Sequence, residues 1–317
     1  MQFGFNLPNS GPLSKATTMA EIAREGEALG FDYLTVTDHV VLPDMKVPGY
    51  PYSESGEFYE AEPTERHEQL MGMAWIAAQT TRIRLVAAVL VVPHRPAVLS
   101  AKMLATLDVL SGGRLVVGIG AGWLKTEFDA VVTTPFADRG AVTDEYLDAF
   151  RVLWTEKAPR FAGRFCRFDN ILLEPKPVQK PHPPIWVGGE GGPAVRRAAR
   201  IGAAWYPIGS NNKHLLDTLP RLRSGIDRLR QATAQAGRDP GTVGVSYRVK
   251  RYGSVVAPLA SDGERRLFSG SDDDVVADIR ALGEAGVTGI DFDFGRPTGR
   301  EVIAEMQRFK KAVLEKV

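Results

Sequence analysis

Three observations predict a (β/α)8 TIM barrel. Short apolar runs alternate strictly with longer stretches of helical period, eight of each. The strand-like runs are apolar on both faces, as parallel strands covered by helices are. The length, 317 residues, suits one barrel of about 250 residues enlarged by insertions. Uninterrupted alternation argues for parallel βα units, and closing eight of them removes both sheet edges. Residues 1–317 are therefore expected to form a single domain.

The strands are expected over Gln2–Leu7, Tyr33–Thr37, Arg84–Val92, Leu115–Ile119, Ile185–Val187, Ala203–Tyr206, Val243–Val249 and Ile290–Phe294. The helices are expected over Thr17–Leu29, Glu68–Thr80, Val98–Ser111, Thr143–Thr155, Pro193–Ile201, Leu215–Ala236, Asp272–Ala285 and Arg300–Lys316. Three segments exceed ordinary connections, and long loops in compact domains are usually functional. Val40–Arg66 follows the second strand. Glu156–Pro184 precedes the fifth and reads as a small hairpin ending in a proline-stiffened arm. Lys250–Gly270 follows the seventh. The first and third leave the C-terminal ends of strands, where barrel active sites lie.

Composition narrows the class. Lys and Arg number 39 against 38 Asp and Glu, so no nucleic-acid surface is expected. A single cysteine, Cys166, excludes an internal disulfide. No apolar run approaches the roughly 20 residues of a membrane helix, and the first residues lack the pattern of a signal peptide. A cytoplasmic protein with a small-molecule substrate is expected.

The stretch RLVVGIGAGW, residues 114–123, tests a rival fold. A dinucleotide fingerprint is G-x-G-x-x-G near the first strand, opening a helix. Here the spacing is G-x-G-x-G, after the fourth strand, with Trp123 where a helix should begin. The dinucleotide reading fails. Two uses remain for Gly120, Ala121 and Gly122: a tight turn, or close approach of a flat ring or phosphate to the backbone. Trp123 is either a pocket wall or ordinary packing.

GGEGGP, residues 188–193, is the strongest local signal. Glycines permit close approach, and Pro193 suits a first helical position, so the turn reads as a phosphate site at a helix N-terminus. Gly188, Gly189, Glu190, Gly191 and Gly192 form it. The Glu190 side chain would repel a phosphate and is expected to point away. Arg196, or Arg197, either reaches the phosphate or lies on a solvated helix face.

Asp38-His39 ends the second strand. A histidine there can donate a proton near neutral pH, and Asp38 can orient it or cap the following loop. Arg95, Asp108, Arg114 and Arg139 are expected in structural salt bridges. His67, His94, His182 and His214 lack metal-ligand spacing, so no metal site is expected. Gly209-Ser210-Asn211 lacks the nucleophile elbow of a hydrolase. Asp291, Asp293 and Arg296 close the eighth strand, with Arg296 a candidate for the pocket or an acidic cofactor tail.

The longer run VVPHRPAVLSAKMLATLDVLSGGRLVVGIGAGW, residues 91–123, resembles the luciferase-like monooxygenase superfamily of flavin and deazaflavin oxidoreductases. FGFNLP, ALGFDYLTVTDHVVLP, RGAVTDEYLDAFRVLW and PPIWVGGEGGPAVRRAARIGAAWYP agree in order. The resemblance covers residues 1–206 well and the remainder weakly, and looks closest to the branch dependent on coenzyme F-420.

It implies a reduced deazaflavin passing hydride to a small organic substrate, with His39 as proton donor beside the ring. The alternative cofactor is FMN, with oxygen insertion. It also implies a non-prolyl cis bond at Ala88–Val89 against the ring, and adds Asn6 to the cofactor site. Ala121 stands where bioluminescent luciferases carry an arginine for the FMN phosphate. Such proteins are often dimers, so a homodimer is an expectation. Two rivals are a non-catalytic flavin-binding protein and a phosphosugar barrel using the same glycine turn.

Overall fold

The computed structural model describes residues 1–53, 55–58 and 65–317; residues 54 and 59–64 of the Val40–Arg66 insertion lie outside the described ones. Eight parallel strands close a barrel: β1 (Gln2–Asn6), β2 (Tyr33–Val36), β3 (Arg84–Val91), β4 (Leu115–Gly120), β5 (Ile185–Gly188), β6 (Ala204–Tyr206), β7 (Gly244–Val249) and β8 (Gly289–Phe292). Each strand pairs with its neighbours in chain order. β8 returns to β1 with Phe3 opposite Ile290 and Phe5 opposite Phe292.

Among the described residues the helices number nine: α1 (Ala16–Ala28), α2 (Gln69–Ala77), α3 (Ala97–Leu110), α4 (Lys125–Val131), α5 (Arg139–Thr155), α6 (Gly192–Ile201), α7 (Leu219–Gln235), α8 (Asp272–Ala285) and α9 (Gly299–Ala312). Eight match expected helices, with ends moved by up to four residues. The ninth, α4, was not expected; it has seven residues and no side-chain cap. The helix does begin just after Trp123, yet it leaves the fourth strand of a closed barrel and not the first strand of an open sheet.

Local sequence explains why the helices stop and start where they do. Ser271 and Asp274 form a reciprocal capping box at α8, and Thr298 and Glu301 form another at α9; each satisfies two amides that a helix start leaves bare. α8 ends at Gly286, whose φ of 98° is the left-handed cap that glycine supplies. α1 buries Met19, Ile22, Ala23 and Gly26, one stripe at helical spacing. α2 is different: beside buried Leu70, Met73 and Ile76 it exposes Met71 (67%) and Trp75 (46%).

Apolar side chains fill two layers. One lies between strands and helices, from Phe5 and Leu34 round to Phe309. The other fills the barrel itself with Tyr33, Val86, Ala88, Val116, Trp186, Ala204 and Tyr206. Full burial of an aromatic or aliphatic side chain contributes about 1.5–3 kcal/mol, so both layers hold the rim rigid.

The insertions sit as expected. Val47–Pro48 and Glu57–Phe58 pair as a short ribbon after β2, and Phe161–Ala162 pairs with Arg167–Phe168 as the hairpin before β5. The arm that follows holds cis peptides at Glu174–Pro175 and Lys180–Pro181. Lys250–Gly270 folds back on itself through bridges Gly253–Ser269 and Leu259–Arg265. Among the described residues no helix is long and apolar enough to cross a membrane.

Candidate active site

The C-terminal rim has two unlike halves. On the β3–β4–β5 side, β3 carries a bulge between Ala87 and Leu90, and the Ala88–Val89 peptide within it is cis. The bulge throws Val89 across the barrel. A Cβ on Gly120 would stand 2.6 Å from Val89 Cγ2, and one on Gly188 would stand 2.7 Å from Val89 Cγ1. A Cβ on Gly118 would drive into the Ala87 carbonyl oxygen, and one on Gly122 would lie 2.9 Å from Val91 Cγ1. The alternating glycines of β4 are thus accounted for by the side chains and backbone of β3. Gly122 also takes a φ of 85°. Ala121 is half-buried beside it, and Trp123 packs its ring 4.9 Å from Tyr50 and 5.4 Å from Phe58 of the long insertion.

His39 leaves β2 at this rim. Its Nδ1 lies 2.8 Å from Glu127 Oε2, and Glu127 Oε1 accepts from the Val40 amide at 2.6 Å. Glu127 is 2% exposed and the His39 side chain 20%. The carboxylate fixes Nδ1 as the donating nitrogen, so Nε2 carries the open acid–base position. Phe58 stacks on the imidazole at 5.9 Å.

This corrects the expected role of Asp38. Its carboxylate accepts two bonds from Arg95, 2.9 and 2.8 Å, and one from the Val91 amide at 2.9 Å, and it does not touch His39. It braces the end of β3. Glu127, 88 residues from His39, had no local signal; only the unexpected helix α4 delivers it.

Of the four expected structural ion pairs, Arg95 forms its own, with Asp38 and Glu68. The other three residues bind amides and carbonyls instead. Asp108 accepts from Gln179, Arg114 donates to Ala77, Ile83 and Ser111 carbonyls, and Arg139 donates to the Gly122 and Phe136 carbonyls.

The 188–192 turn leads directly into α6, capped at Gly191 with Pro193 in the first turn. Gly189 takes a φ of 104°. Arg196 folds back so that its Nη1 would lie 3.1 Å from a Cβ on Gly192, and His214 Nε2 would lie 3.4 Å from one on Gly191. A helix N-terminus flanked by a guanidinium and an imidazole favours an anion. Arg197 is buried and paired with Asp144. Glu190 turns away from the turn: its carboxylate accepts from the Ile208 amide at 2.7 Å, from Asn211, and from the Tyr52 hydroxyl at 3.3 Å. Burial pushes this acid up to about 7. His214, Asn211 and Tyr52 gave no sequence signal of their own.

The β7–β8–β1 side is polar. Arg248, buried, donates to Asn6 Oδ1 at 2.7 Å and to Thr35 and Tyr206 hydroxyls at 3.2 Å. Asp291 lies 3.7 Å from Arg248 and accepts from Tyr206 at 3.0 Å. It is fully buried, which pushes its carboxyl up to about 6. Asp293 sits higher, its carboxylate accepting from the Gly295 amide. Arg296 pairs with Glu305 and Gly295 on α9's side, which removes it from the mouth. Among the described residues no cluster of three metal-type ligands exists.

Above this floor opens a cleft of about 690 Å³. Its walls come from described residues of the two long insertions, Tyr50, Tyr52, Ser53 and Ser55 on one side and Lys250, Arg251, Val255 and Arg266 on the other, and from the loop after β6.

His39, Glu127, the 188–192 turn and Arg248 all stand at the C-terminal rim, the face where barrels of this class carry their sites. The chain belongs to the luciferase-like monooxygenase family, whose model matches residues 1–252. Members of this family are flavin- or deazaflavin-dependent oxidoreductases.

It is 34% identical to an FMNH(2)-dependent dimethylsulfone monooxygenase of Pseudomonas putida over 175 residues, 54% of this chain and 46% of that one. The chain thus spans about half the length of that relative. An uncharacterized protein of Mycobacterium tuberculosis is 32% identical over 289 residues, 90% of this chain and 96% of that one. An F420-dependent secondary alcohol dehydrogenase, solved with an F420-acetone adduct, superposes with a TM-score of 0.76 over 98% of both chains at 18% identity, which bears on the fold.

Proposed function

We propose that residues 1–317 act as one unit that uses reduced coenzyme F-420 to deliver hydride to a small organic substrate. The observation that carries this reading is the His39–Glu127 pair, a buried carboxylate holding an imidazole at the rim beside the β3 bulge. The fit for a tricyclic, phosphate-bearing group rests on two features. The bulge gives an apolar wall of Ala88 and Val89, and the α6 N-terminus gives an anion cradle of Gly191, Gly192, Arg196 and His214.

When bound, the ring supplies the redox chemistry. The residues of the chain do the rest. Nε2 is the His39 atom through which a proton would pass to the developing alkoxide, because Glu127 occupies Nδ1. Glu127 also takes the Val40 amide, so the imidazole and its loop move together. Asn6, Gly120, Ala121, Gly122 and Trp123 complete the floor and wall, and Tyr50, Tyr52 and Phe58 exclude water from above.

A second reading, FMN with oxygen insertion, is favoured by the 34% identity to an FMNH(2)-dependent monooxygenase. The absence of an arginine at Ala121 argues against a luciferase-style FMN site. Paired titration of the apo-protein with coenzyme F-420 and FMN, following ligand fluorescence, separates the two. Tight deazaflavin and weak FMN binding is the expected result; the reverse establishes the monooxygenase reading, and binding of neither ends both. His39→Ala should lower turnover by about 10²–10⁴-fold, the usual worth of a positioned acid–base group, with cofactor affinity retained. Retained turnover would remove His39 from the chemistry.

The exposed Met71 and Trp75 of α2, with Leu99 (51% exposed) of α3, suit a second copy of this chain. Light scattering tests the homodimer, and a monomer at all concentrations rejects it.

A further inference from the structure

Strand β7 was read as apolar on both faces, yet it alternates. Ser246, Arg248 and Lys250 fall two residues apart, on one face, about 6.6 Å from each to the next. Ser246 binds the Tyr33 hydroxyl inside the barrel and Arg248 forms the floor of the cleft. Lys250 comes next, at the cleft wall.

Its ammonium is oddly provided for. Nζ lies 3.5 Å from the Tyr50 hydroxyl, 3.3 Å from the Tyr52 carbonyl and 5.5 Å above the Tyr50 ring. Among the described residues no carboxylate comes within ion-pair distance of it. Burial pulls its proton affinity below that of an ordinary lysine, with Arg248 adding to the effect. A desolvated cation costs free energy unless it is paired, and two neutral oxygens at long range pair it poorly.

Basic groups outnumber acidic ones in the rest of the lining. Arg248, Lys250, Arg251 and Arg266 face the cleft against two acids, Asp217 and Asp293. Asp217 is already committed to Arg221 and Arg266. Between the charges the walls are hydrocarbon: Val249, Val255, Leu267 and Phe268, with Tyr50 and Tyr52 opposite.

We infer that the cleft binds a small organic anion, a carboxylate or sulfonate carried on an apolar body, and that Lys250 is the residue that selects it. This names the substrate class of the enzyme and rests on the oxidoreductase reading above. The anion displaces the long contacts of Lys250 to Tyr50 and Tyr52, and the apolar body lies against those two rings and Val255. Arg248 stays bound to Asn6 and supplies long-range field from below.

Isothermal titration of the full-length chain with benzoate, benzenesulfonate and the neutral benzamide tests this. Saturable binding of both anions, with benzamide at least about tenfold weaker, is expected, since the neutral amide offers no charge to the Lys250 ammonium. Lys250→Met should abolish that preference and Lys250→Arg should restore it. Equal binding of benzamide, unchanged benzoate affinity in Lys250→Met, or no saturable anion binding in the millimolar range overturns the inference.

The same variants, titrated with coenzyme F-420 and with FMN, locate any failure. Lys250→Met should leave cofactor affinity unchanged. If it weakens the cofactor and leaves benzoate alone, the cleft holds the cofactor's acidic tail and the substrate assignment is wrong. If benzoate binds through Lys250 and neither cofactor binds, the anion site stands and the oxidoreductase reading falls.

Discussion

The two halves of the barrel mouth are built on opposite principles. On the β3–β4–β5 side, close approach is obtained by removing side chains: Gly118, Gly120 and Gly188 leave room for the Ala87 carbonyl and for Val89. On the β7–β8–β1 side, space is filled by polar and charged groups: Arg248, Asp291, Asn6 and Tyr206 bind one another inside the barrel, and Asp291 Oδ1 alone is left without a hydrogen-bond partner among them. The first half is a rigid apolar wall, and the second is a floor whose charge depends on proton uptake. A wall that cannot change and a floor that can is a useful division for a redox site, because position and electrostatics are then set by different residues.

Arg248→Met should break the polar half with the largest effect. Leaving one partner of a buried ion pair alone costs about 3–5 kcal/mol. The cost should be smaller at pH 5 than at pH 8, because Asp291, already raised to about 6, is protonated at the lower pH and needs no partner. Urea denaturation at the two pH values measures both; an equal loss at each would mean that Asp291 does not change its protonation between pH 5 and pH 8.

Gly118→Ala attacks the apolar half. Its Cβ meets backbone, which cannot swing aside, so overpacking of about 1–3 kcal/mol is expected. Here the loss should be the same at both pH values. A pH-dependent loss would erase the contrast between the halves.

Glu190, between them, should give an effect that vanishes at low pH and grows only as pH rises. Its folded value of about 7 exceeds its ordinary 4.5, so folding takes up a proton. The stabilisation is complete below pH 4.5 and is lost as pH rises through 7. Over that window the wild type should lose about 3 kcal/mol relative to Glu190→Gln. Thermal unfolding of the pair from pH 4.5 to 8 reads it as a Tm difference that changes with pH; a constant difference means an ionised Glu190 throughout.

The apolar half was the legible one. Strands of four to eight residues, the glycine turn at 188–192 and the barrel closure all follow from local pattern. The bulge at Ala88–Val89 came through resemblance, because no local pattern marks a backbone irregularity. The polar half was hidden by its own composition. In GVSYRV and the Lys250 that follows, apolar neighbours disguised an alternating row of Ser246, Arg248 and Lys250.

Distance in sequence hid the rest. Glu127 meets His39 across 88 residues and rides on a seven-residue helix too short to announce itself. Asp38 is adjacent to His39 in sequence, but both lie beyond the end of β2, and the Asp38 carboxylate turns to Arg95 and the Val91 amide instead.

The crowding of Val89 against two strands has a consequence for inheritance. A glycine at 120 or 188 is there because of a side chain on another strand, so neither position is free to drift alone. The three positions should change as a set: wherever a descendant of this fold carries a smaller residue at 89, side chains become admissible at 120 and 188, and a search for paired substitutions would find the wall before it found the chemistry.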